Sequence, residues 1–389
     1  MNFLKESIKL LFKIKICFRI PKKKIIIFDP DSLTQNKYLF KKVEKNCFYL
    51  HVRNYDLEKI YISPKIIIFT IRHILAGNLN YSAYFAALVL EINAKLVITT
   101  IGISHKFYNL SKILHKKKIR CIAVQNSSIE HIRYKSKQEI KKIFIPEYFC
   151  FSQYDKNLMK QHGANIKKFV IIGSYNYSNF YKKNKINKKI YDICLVANWP
   201  YGSKKRYFEK VGEDFLKYLS KYVNKYNYKL VIAGKRSNVY KNKNSKNFNK
   251  DLFQKRYLNE RSFYKRLIDA KFRYIKNNPA KHSSYKCVMS SEVAVGSGST
   301  ILREAMSAGK KVLQCNISGI KSECFPIKSL NYLEKFNYKK FEIRMNLLMK
   351  ISYKKYFNNL KIKPYKVVYF DPKKLANERI IEEVKKVLD

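Results

Sequence analysis

Short runs of apolar, often β-branched residues alternate with helix-compatible segments along the whole chain, and this alternation constrains the fold more than any other feature. Runs such as Ile66–Thr70 and Leu96–Ile101 have the length of a strand. Continuous apolar runs with helices between them are typical of parallel strands that are buried on both faces of a sheet. We therefore predict an α/β protein built on doubly wound parallel sheets.

The same alternation occurs twice, and a polar, basic stretch without periodicity separates the two halves. Single hydrophobic cores stop growing at about 250–300 residues. A chain of 389 residues is therefore expected to form two domains. The predicted organisation is a basic amphipathic segment (1–24), a first Rossmann-like domain (25–175), a linker (176–190), a second Rossmann-like domain (191–375) and a C-terminal helix (376–389).

The chain is strongly basic, with 81 Lys and Arg residues against 28 Asp and Glu and a formal net charge of +53. The basic residues are spread along the whole chain together with many Ile, Asn, Tyr and Phe, which is typical of AT-rich coding. Such a charge favours anionic surfaces of any kind. No zinc-finger or RNP-type motif accompanies it, so we expect no specific nucleic-acid partner.

The eight Cys residues form no Cys-x-x-Cys pair, and most lie within apolar runs. This indicates buried thiols in a reducing compartment and no metal site. No run approaches the roughly 20 apolar residues of a membrane span. The first 24 residues lack the features of a secretory signal. They fit either an interfacial helix on an anionic membrane or a helix packed on the first domain.

The stretch "VAVGSGSTILREAMSAGKKVLQC", residues 293–315, places a small uncharged loop between a predicted strand and a predicted helix. In an open parallel sheet such a turn lies at the carboxyl edge, where these folds bind ligands. Free N–H groups at the start of the helix and small hydroxyls would hold a phosphate without bulk. An ordinary tight turn is the alternative, and the spacing is neither that of a P-loop nor that of a dinucleotide-binding loop. The candidate phosphate-binding residues are Ser297, Gly298, Ser299 and Thr300.

Three stretches resemble the bacterial surface-carbohydrate transferases of the GT-B fold, and in particular those allied to the CDP-glycerol glycerophosphotransferases. They are "SYKCVMSSEVAVGSGSTILREAMSAGKKVLQCN", "CIAVQNSSIEH" and "EYFCFSQYDKNLMKQHGANIKKFVIIGSYN". The resemblance covers roughly residues 95–175 and 190–316. It implies two Rossmann-like domains that face a cleft, with an activated donor on the second domain and an acceptor on the first.

The resemblance also implies roles for particular residues. Glu304 would bind the ribose or sugar hydroxyls of the donor, although an exposed helix residue is the alternative. Helix-end N–H groups and cations would stabilise the leaving nucleotide without a metal or other cofactor. The family often has Gly after its Gln-Asn/His pair, where this chain has Ser127, which puts a base at that pair in doubt. The remaining donor-side candidates are Gly234, Lys235 and Arg236, and the acceptor-side candidates are Gln125, Asn126 and Asp29.

An inverting transfer requires a base close to the acceptor hydroxyl. Asp29 and Asp31 follow the first strand of the first domain and could serve as bases or cap the next helix. His282 precedes the donor segment, and a surface position is its alternative. The candidate catalytic residues are Asp31, Asn126 and His282.

The sequence thus predicts an enzyme that moves a glycosyl or polyol-phosphate group from a nucleotide-activated donor to a growing surface glycan such as capsule, lipopolysaccharide or teichoic acid. Its acceptor would be a glycan or lipid-linked molecule. We expect a cytoplasmic protein held on the inner face of the plasma membrane by its N-terminal segment, and released by deletion of residues 1–20. The alternatives are a sugar-nucleotide 2-epimerase of the same fold and a non-catalytic, basic nucleic-acid-binding protein.

Overall fold

The computed structural model describes residues 15–30, 33–52, 59–77, 81–184, 188–197, 205–236, 250–317, 319, 324–360 and 363–388. Within these ranges the chain forms two parallel sheets of six strands each and a small two-stranded sheet. No helix among the described residues is long and apolar enough to span a membrane.

The first large sheet has the strand order β3–β2–β5–β6–β7–β8, and all its neighbours are parallel. Its strands are β2 (Ile25–Phe28), β3 (Cys47–Leu50), β5 (Leu96–Thr99), β6 (Arg120–Val124), β7 (Phe144–Cys150) and β8 (Asn165–Ile171), while β1 (Lys15–Cys17) and β4 (Lys59–Tyr61) form the small sheet. The helices of this half are α1 (Leu33–Leu39), α2 (Pro64–Leu75), α3 (Ser82–Ile92), α4 (His105–Lys116), α5 (Lys137–Lys141) and α6 (Gln153–Gln161).

The second large sheet has the order β11–β10–β9–β12–β13–β14 and is also parallel throughout. Its strands are β9 (Tyr191–Val196), β10 (Leu230–Ala233), β11 (Phe272–Ile275), β12 (Ser291–Gly296), β13 (Lys311–Asn316) and β14 (Tyr332–Glu334). The later helices are α7 (Tyr175–Lys183), α8 (Lys205–Tyr226), α9 (Lys250–Leu267), α10 (Ser283–Met289), α11 (Thr300–Ser307), α12 (Tyr338–Lys350), α13 (Tyr353–Asn358) and α14 (Ala376–Lys385).

The central strands are mostly apolar, as expected for strands that helices cover on both faces of each sheet. In β2, Ile26 and Phe28 pack into one core, and Ile25 and Ile27 pack into the core on the opposite face. A third core fills the second domain. Such uninterrupted burial is what parallel strands between two helical layers require.

The strand order locates the edge at which each sheet can bind a ligand. In the second sheet β10 and β11 lie on one side of β9, and β12, β13 and β14 lie on the other, so the order of strand addition changes side between β9 and β12. Open α/β sheets bind ligands in the crevice outside the carboxyl ends of the strands at such a switch point. The loop that follows β12 leads directly into this crevice.

Two predicted segments have a different structure. The run Ile66–Thr70, interpreted as a buried strand, belongs to helix α2, because Ser63 caps its amino end and Pro64 occupies its first turn. The segment 176–190, interpreted as a linker, begins inside helix α7, which buries Tyr177 and Phe180. Helix α6, in contrast, ends before Gly163 as predicted, and Gly163 has φ of 77°.

The predicted C-terminal helix, α14, packs on the first domain. Ala376, Ile380 and Val384 join the core on the face of Ile25 and Ile27. The chain therefore crosses from the first domain to the second and then returns to the first.

Candidate functional site

The loop after β12 turns sharply at the carboxyl edge of the second sheet. β12 ends at Gly296, where a Cβ atom would come within 2.9 Å of the carbonyl oxygen of Val196 on β9. Gly298 has φ of 60°, in the left-handed region that favours glycine. Ser299 then takes the N-cap position of α11 with extended backbone. The two glycines therefore allow the chain to bring the amino end of α11 to the crevice.

Helix α11 joins the two domains through its side chains. The Thr300 Oγ1 accepts a hydrogen bond from the backbone N–H of Ser128, in the loop after β6, at 3.0 Å. Glu304 accepts a short hydrogen bond from the hydroxyl of Ser174, which caps α7. The helix that the sequence analysis assigned to the donor therefore also closes the interface with the first domain.

Arg303 makes the strongest of these contacts. Its side chain is 2% exposed and donates to Glu130 at 3.0 Å, to Asp155 at 2.9 Å and to the carbonyl oxygen of Val367 at 2.9 Å. Burial by itself would lower the pKa of Arg303, but the two carboxylates outweigh burial and raise it. Arg303 Nε and Glu130 Oε2 have no hydrogen-bond partner among the described residues. Removing one member of such a buried ion cluster would leave an uncompensated charge, so the ion pairs of Arg303 couple the two domains.

A cavity of about 250 Å³ lies between the domains at the amino end of α11. Most of its lining groups are amides, hydroxyls or backbone, together with one imidazole and one carboxylate. Groups of this kind can donate to and accept from sugar hydroxyls, and their N–H and O–H groups can donate to phosphate oxygens. The lining residues are Asn126, Asn176, Asn277, Pro279, His282, Ser283, Ser284, Tyr285, Thr300, Ile301 and Glu304.

Glu304 is the carboxylate of the cavity. Burial raises the pKa of its side chain to about 7, although hydrogen bonds from Ser174 and Tyr285 and the charge of Arg303 act in the opposite direction. The Tyr285 hydroxyl lies 2.8 Å from Oε2. A carboxyl group with this pKa can accept or release a proton close to neutral pH.

His282 lines the same cavity. It follows a short turn at Pro279–Lys281 and has φ of 50°. Its Nε2 is buried and has no hydrogen-bond partner among the residues that the structure describes. Burial lowers the pKa of the imidazole, and the nearby Lys183 and Lys286 lower it further. His282 is therefore neutral at pH 7 and able to accept a proton.

The turn after β10 acts through its backbone. The side chain of Asn277 donates to the carbonyl oxygen of Lys235 at 3.0 Å, and its N–H donates to that of Arg236 at 2.9 Å. The backbone N–H groups of both turn residues are bound by the Glu260 carboxylate, at 2.9 and 2.7 Å. Gly234, Lys235 and Arg236, predicted to meet the diphosphate, are absent from the described lining of the cavity. Their turn instead positions Asn277, which belongs to it.

The acceptor-side candidates separate into three groups. Asn126 lines the cavity, as a role in binding requires. Gln125 is fully buried and bonds to Asp155, Ser127 and the backbone of Phe151, so its amide is occupied and we withdraw it as an acceptor contact. Asp29 is buried at the end of β2, with φ of 49°, and is not one of the lining residues. Asp31 lies outside the described residues.

The structure thus brings together four of the predicted residues: Asn126, His282, Thr300 and Glu304. Ser297, Gly298 and Ser299 form the turn that precedes them. Sequence reasoning missed Asn176, Asn277, Ser284 and Tyr285. Asn277 stands two residues after the end of β11, in "YIKNNP", and recognition of that strand in the sequence could have identified it. The other three have no local signal, because helix packing brings them to the cavity.

No family model and no curated protein matches this sequence. Solved structures match over almost the whole chain. The UDP-GlcNAc 2-epimerase of Methanocaldococcus jannaschii, in complex with UDP-GlcNAc and UDP, aligns with a TM-score of 0.52 at 11% identity, over 94% of this chain and 99% of that one. A protein proposed to be the UDP-N-acetylglucosamine 2-epimerase of Listeria monocytogenes aligns with a TM-score of 0.53 at 12% identity, over 95% of this chain and 97% of that one. These matches confirm the predicted fold class, with two Rossmann-like domains that face a cleft.

Proposed function

We propose that this protein is a GT-B-fold transferase that moves a glycosyl or polyol-phosphate group from a nucleotide-activated donor to a surface glycan. The observation that carries the proposal is the polar cavity at the switch point of the second sheet. It combines the amino end of α11 with amides, hydroxyls and a carboxyl group of raised pKa. This is the chemistry that a sugar joined to a phosphate requires.

On the donor side, the amino end of α11 and the hydroxyl of Ser284 would face the phosphates. Free N–H groups at a helix start favour negative charge. Glu304 would accept hydrogen bonds from the hydroxyls of a ribose or sugar. Each carboxylate oxygen can accept two hydrogen bonds, so those from Ser174 and Tyr285 leave capacity for the donor.

On the acceptor side, Asn126 would orient the attacking hydroxyl and His282 would accept its proton. The lowered pKa of His282 keeps the imidazole in its basic form at neutral pH. The bond from the sugar or polyol phosphate to the leaving nucleotide breaks as the new bond forms, and the negative charge develops next to the start of α11.

We expect the reaction to need no metal. Among the described residues, no group of three or more His, Cys, Asp or Glu side chains could hold a metal ion. Activity that survives a chelator and does not respond to added Mg²⁺ or Mn²⁺ would agree with this prediction.

A second candidate function is epimerisation of a nucleotide sugar, which the fold match to the UDP-GlcNAc 2-epimerase favours. Such an enzyme would use the same donor pocket without an acceptor. Incubation with UDP-sugars separates the two reactions. Release of nucleotide that depends on an added glycan acceptor supports transfer, whereas a new sugar epimer formed without acceptor supports epimerisation.

The donor site is tested by calorimetry against a panel of nucleotides and nucleotide sugars. We expect the double variant Ser299→Ala/Thr300→Ala, and separately Asn277→Ala, to weaken binding about tenfold, since each removes hydrogen bonds to the donor. The matched control is Thr70→Ala on α2, which lies in the first domain and is distant in sequence from the residues of the site. Unchanged affinity in both site variants would exclude this cavity as the donor site. A steep salt dependence of oligonucleotide binding, without nucleotide binding, would favour the nucleic-acid alternative.

A further inference from the structure

Helix α2 presents a wide apolar face to solvent. Ile67, Ile68, Ile71, Ile74 and Leu75 are between 41% and 81% exposed. At 100° per residue these five side chains fall within an arc of about 120° on one side of the helix. On the opposite side Ile66 is buried in the core of the first domain, and Phe69 packs against it. The helix is therefore apolar on both sides, although only one side faces the protein.

The apolar face continues beyond the helix. Strand β1 pairs with β4, and the N–H of Ile62 bonds to the carbonyl oxygen of Cys17 just before α2 begins. Phe18, which follows β1, is 76% exposed. Tyr81, shortly after the helix, is 78% exposed. Five exposed apolar side chains on one face of a helix, with further exposed aromatic residues in the adjoining segments, are the kind of apolar surface that marks an interaction site on a folded protein.

The segments that carry this face are basic. Residues 15–24 and 59–77 contain no Asp or Glu, and their exposed cations include Lys15, Arg19, Lys59, Lys65 and Arg72. When the position of Ile67 around the helix axis is set to 0°, Lys65 and Arg72 lie at about 140–160°, next to the edge of the apolar arc. An apolar stripe flanked by cations is the pattern of helices that lie in the interface of an anionic bilayer.

We infer that α2 and the adjoining end of β1 form a membrane-binding surface that inserts its apolar face into an anionic lipid bilayer. A second copy of the chain is a poorer occupant, because a two-fold contact would bring two sets of cations together on molecules that each carry a formal charge of +53. The inference is independent of the reaction that the cleft performs.

The test is sedimentation of the full chain with vesicles of phosphatidylcholine alone or with about one third phosphatidylglycerol. We expect binding to the anionic vesicles, and binding weakened about tenfold or more by Ile67→Ser/Ile71→Ser, because each variant removes buried apolar surface from the bilayer. The matched control is Ile343→Ser/Leu347→Ser on α12, whose side chains are 60% and 42% exposed in the second domain. It should bind as the unaltered chain does.

A second variant, Lys65→Glu/Arg72→Glu, keeps the apolar face and reverses its flanking charge. It should also lose binding. The circular dichroism spectrum and the thermal unfolding midpoint of each variant report whether the fold is intact. If the α2 variants bind anionic vesicles as strongly as the control, the inference is wrong and the anchor lies elsewhere, as deletion of residues 1–14 would then show. If the α2 variants change the molar mass that light scattering measures for the protein but leave vesicle binding unchanged, the face is an interface between copies of the chain.

Discussion

Glu304 shows how a site residue can be predicted while its chemistry is not. The sequence placed it on the helix after the donor loop, in a motif that resembles a known family. Its raised pKa comes from burial, which outweighs the opposing hydrogen bonds from two hydroxyl partners, one of which, Ser174, lies 130 residues away in the chain. Gln125 shows the opposite case, because a local motif suggested a ligand contact and the fold uses the amide internally. Local sequence thus identifies candidate positions, and packing decides their protonation and partners.

The raised pKa of Glu304 predicts a pH-dependent effect of Glu304→Gln. The folded protein binds the proton of Glu304 more tightly than the unfolded chain does. The protonated side chain therefore adds to the free energy of unfolding below its usual pKa of 4.5, and this contribution is lost as the pH rises through about 7. Relative to the unaltered protein, the variant should gain about 3 kcal/mol of unfolding free energy between pH 4.5 and pH 8. Denaturant titrations across this range measure the difference.

Glu342→Gln is the control, because the pKa of this partly exposed side chain is lowered by Lys225. Its relative stability should not rise with pH. A Glu304→Gln curve parallel to that of the unaltered protein would show that Glu304 is ionised in the folded state throughout the range.

Arg303→Met should be strongly destabilising, because it leaves Glu130 and Asp155 buried without their cation. We expect a loss of about 3–5 kcal/mol in urea unfolding. Arg266→Met, which removes a cation that is 67% exposed and paired with Glu213, should cost no more than about 1 kcal/mol. Adding Glu130→Gln and Asp155→Asn to Arg303→Met should recover much of the loss. A triple variant no more stable than the single one would contradict the role assigned to the buried charges.

At the scale of elements, the two errors of sequence interpretation have different causes. The Ile-rich run of α2 has high strand propensity, and only Ser63–Pro64 signals a helix start. That signal was available and was outweighed by the apolar run. Helix α7 has the composition of a linker, rich in Lys, Asn and Tyr, and it is stabilised by contacts with α14 such as the bond from Ala376 N–H to Ser178. Because this partner lies almost 200 residues later, no local pattern could predict the helix.

The cap of α7 allows a test at this scale. Ser174 accepts from the N–H of Tyr177 and donates to Glu304, so Ser174→Ala removes both a helix cap and a partner of the carboxyl group. Loss of a cap costs about 1 kcal/mol. The cost of Ser174→Ala should grow from pH 5 to pH 8, as the carboxyl group ionises and needs its donors. Ser63→Ala, which removes the cap of α2, should cost the same at both pH values. Equal pH responses of the two variants would argue against the coupling of Ser174 to Glu304.

At the scale of the whole molecule, the two-domain α/β fold was predictable because each half repeats the same alternation of apolar runs and helices. The order of the strands was not, since it depends on which helices cover which face. Nor was the position of α14: its amphipathic pattern predicts a helix and does not indicate that it covers the first domain. The polar cavity is likewise a product of the assembled molecule, since its lining comes from both domains.

The return of α14 predicts that a substitution near the C-terminus affects the first domain. Ile380 is fully buried, so Ile380→Ala should destabilise by about 2–5 kcal/mol. Lys385→Ala, at an exposed position on the same helix, should change stability by no more than about 0.5 kcal/mol. Hydrogen exchange should show lost protection first in β2 and β5. Protection lost first in β9 and β10 would place the helix in the second domain instead.

The position of α14 also sets an order of events during synthesis. A ribosome makes the first domain before the second, and domains that are continuous in sequence can fold as they emerge. Here one face of the first sheet stays partly uncovered until residues 376–388 have been translated, after the whole second domain. The nascent first domain therefore keeps part of its apolar surface exposed while the second domain is synthesised and folds. The part of the protein synthesised first is the last to be completed.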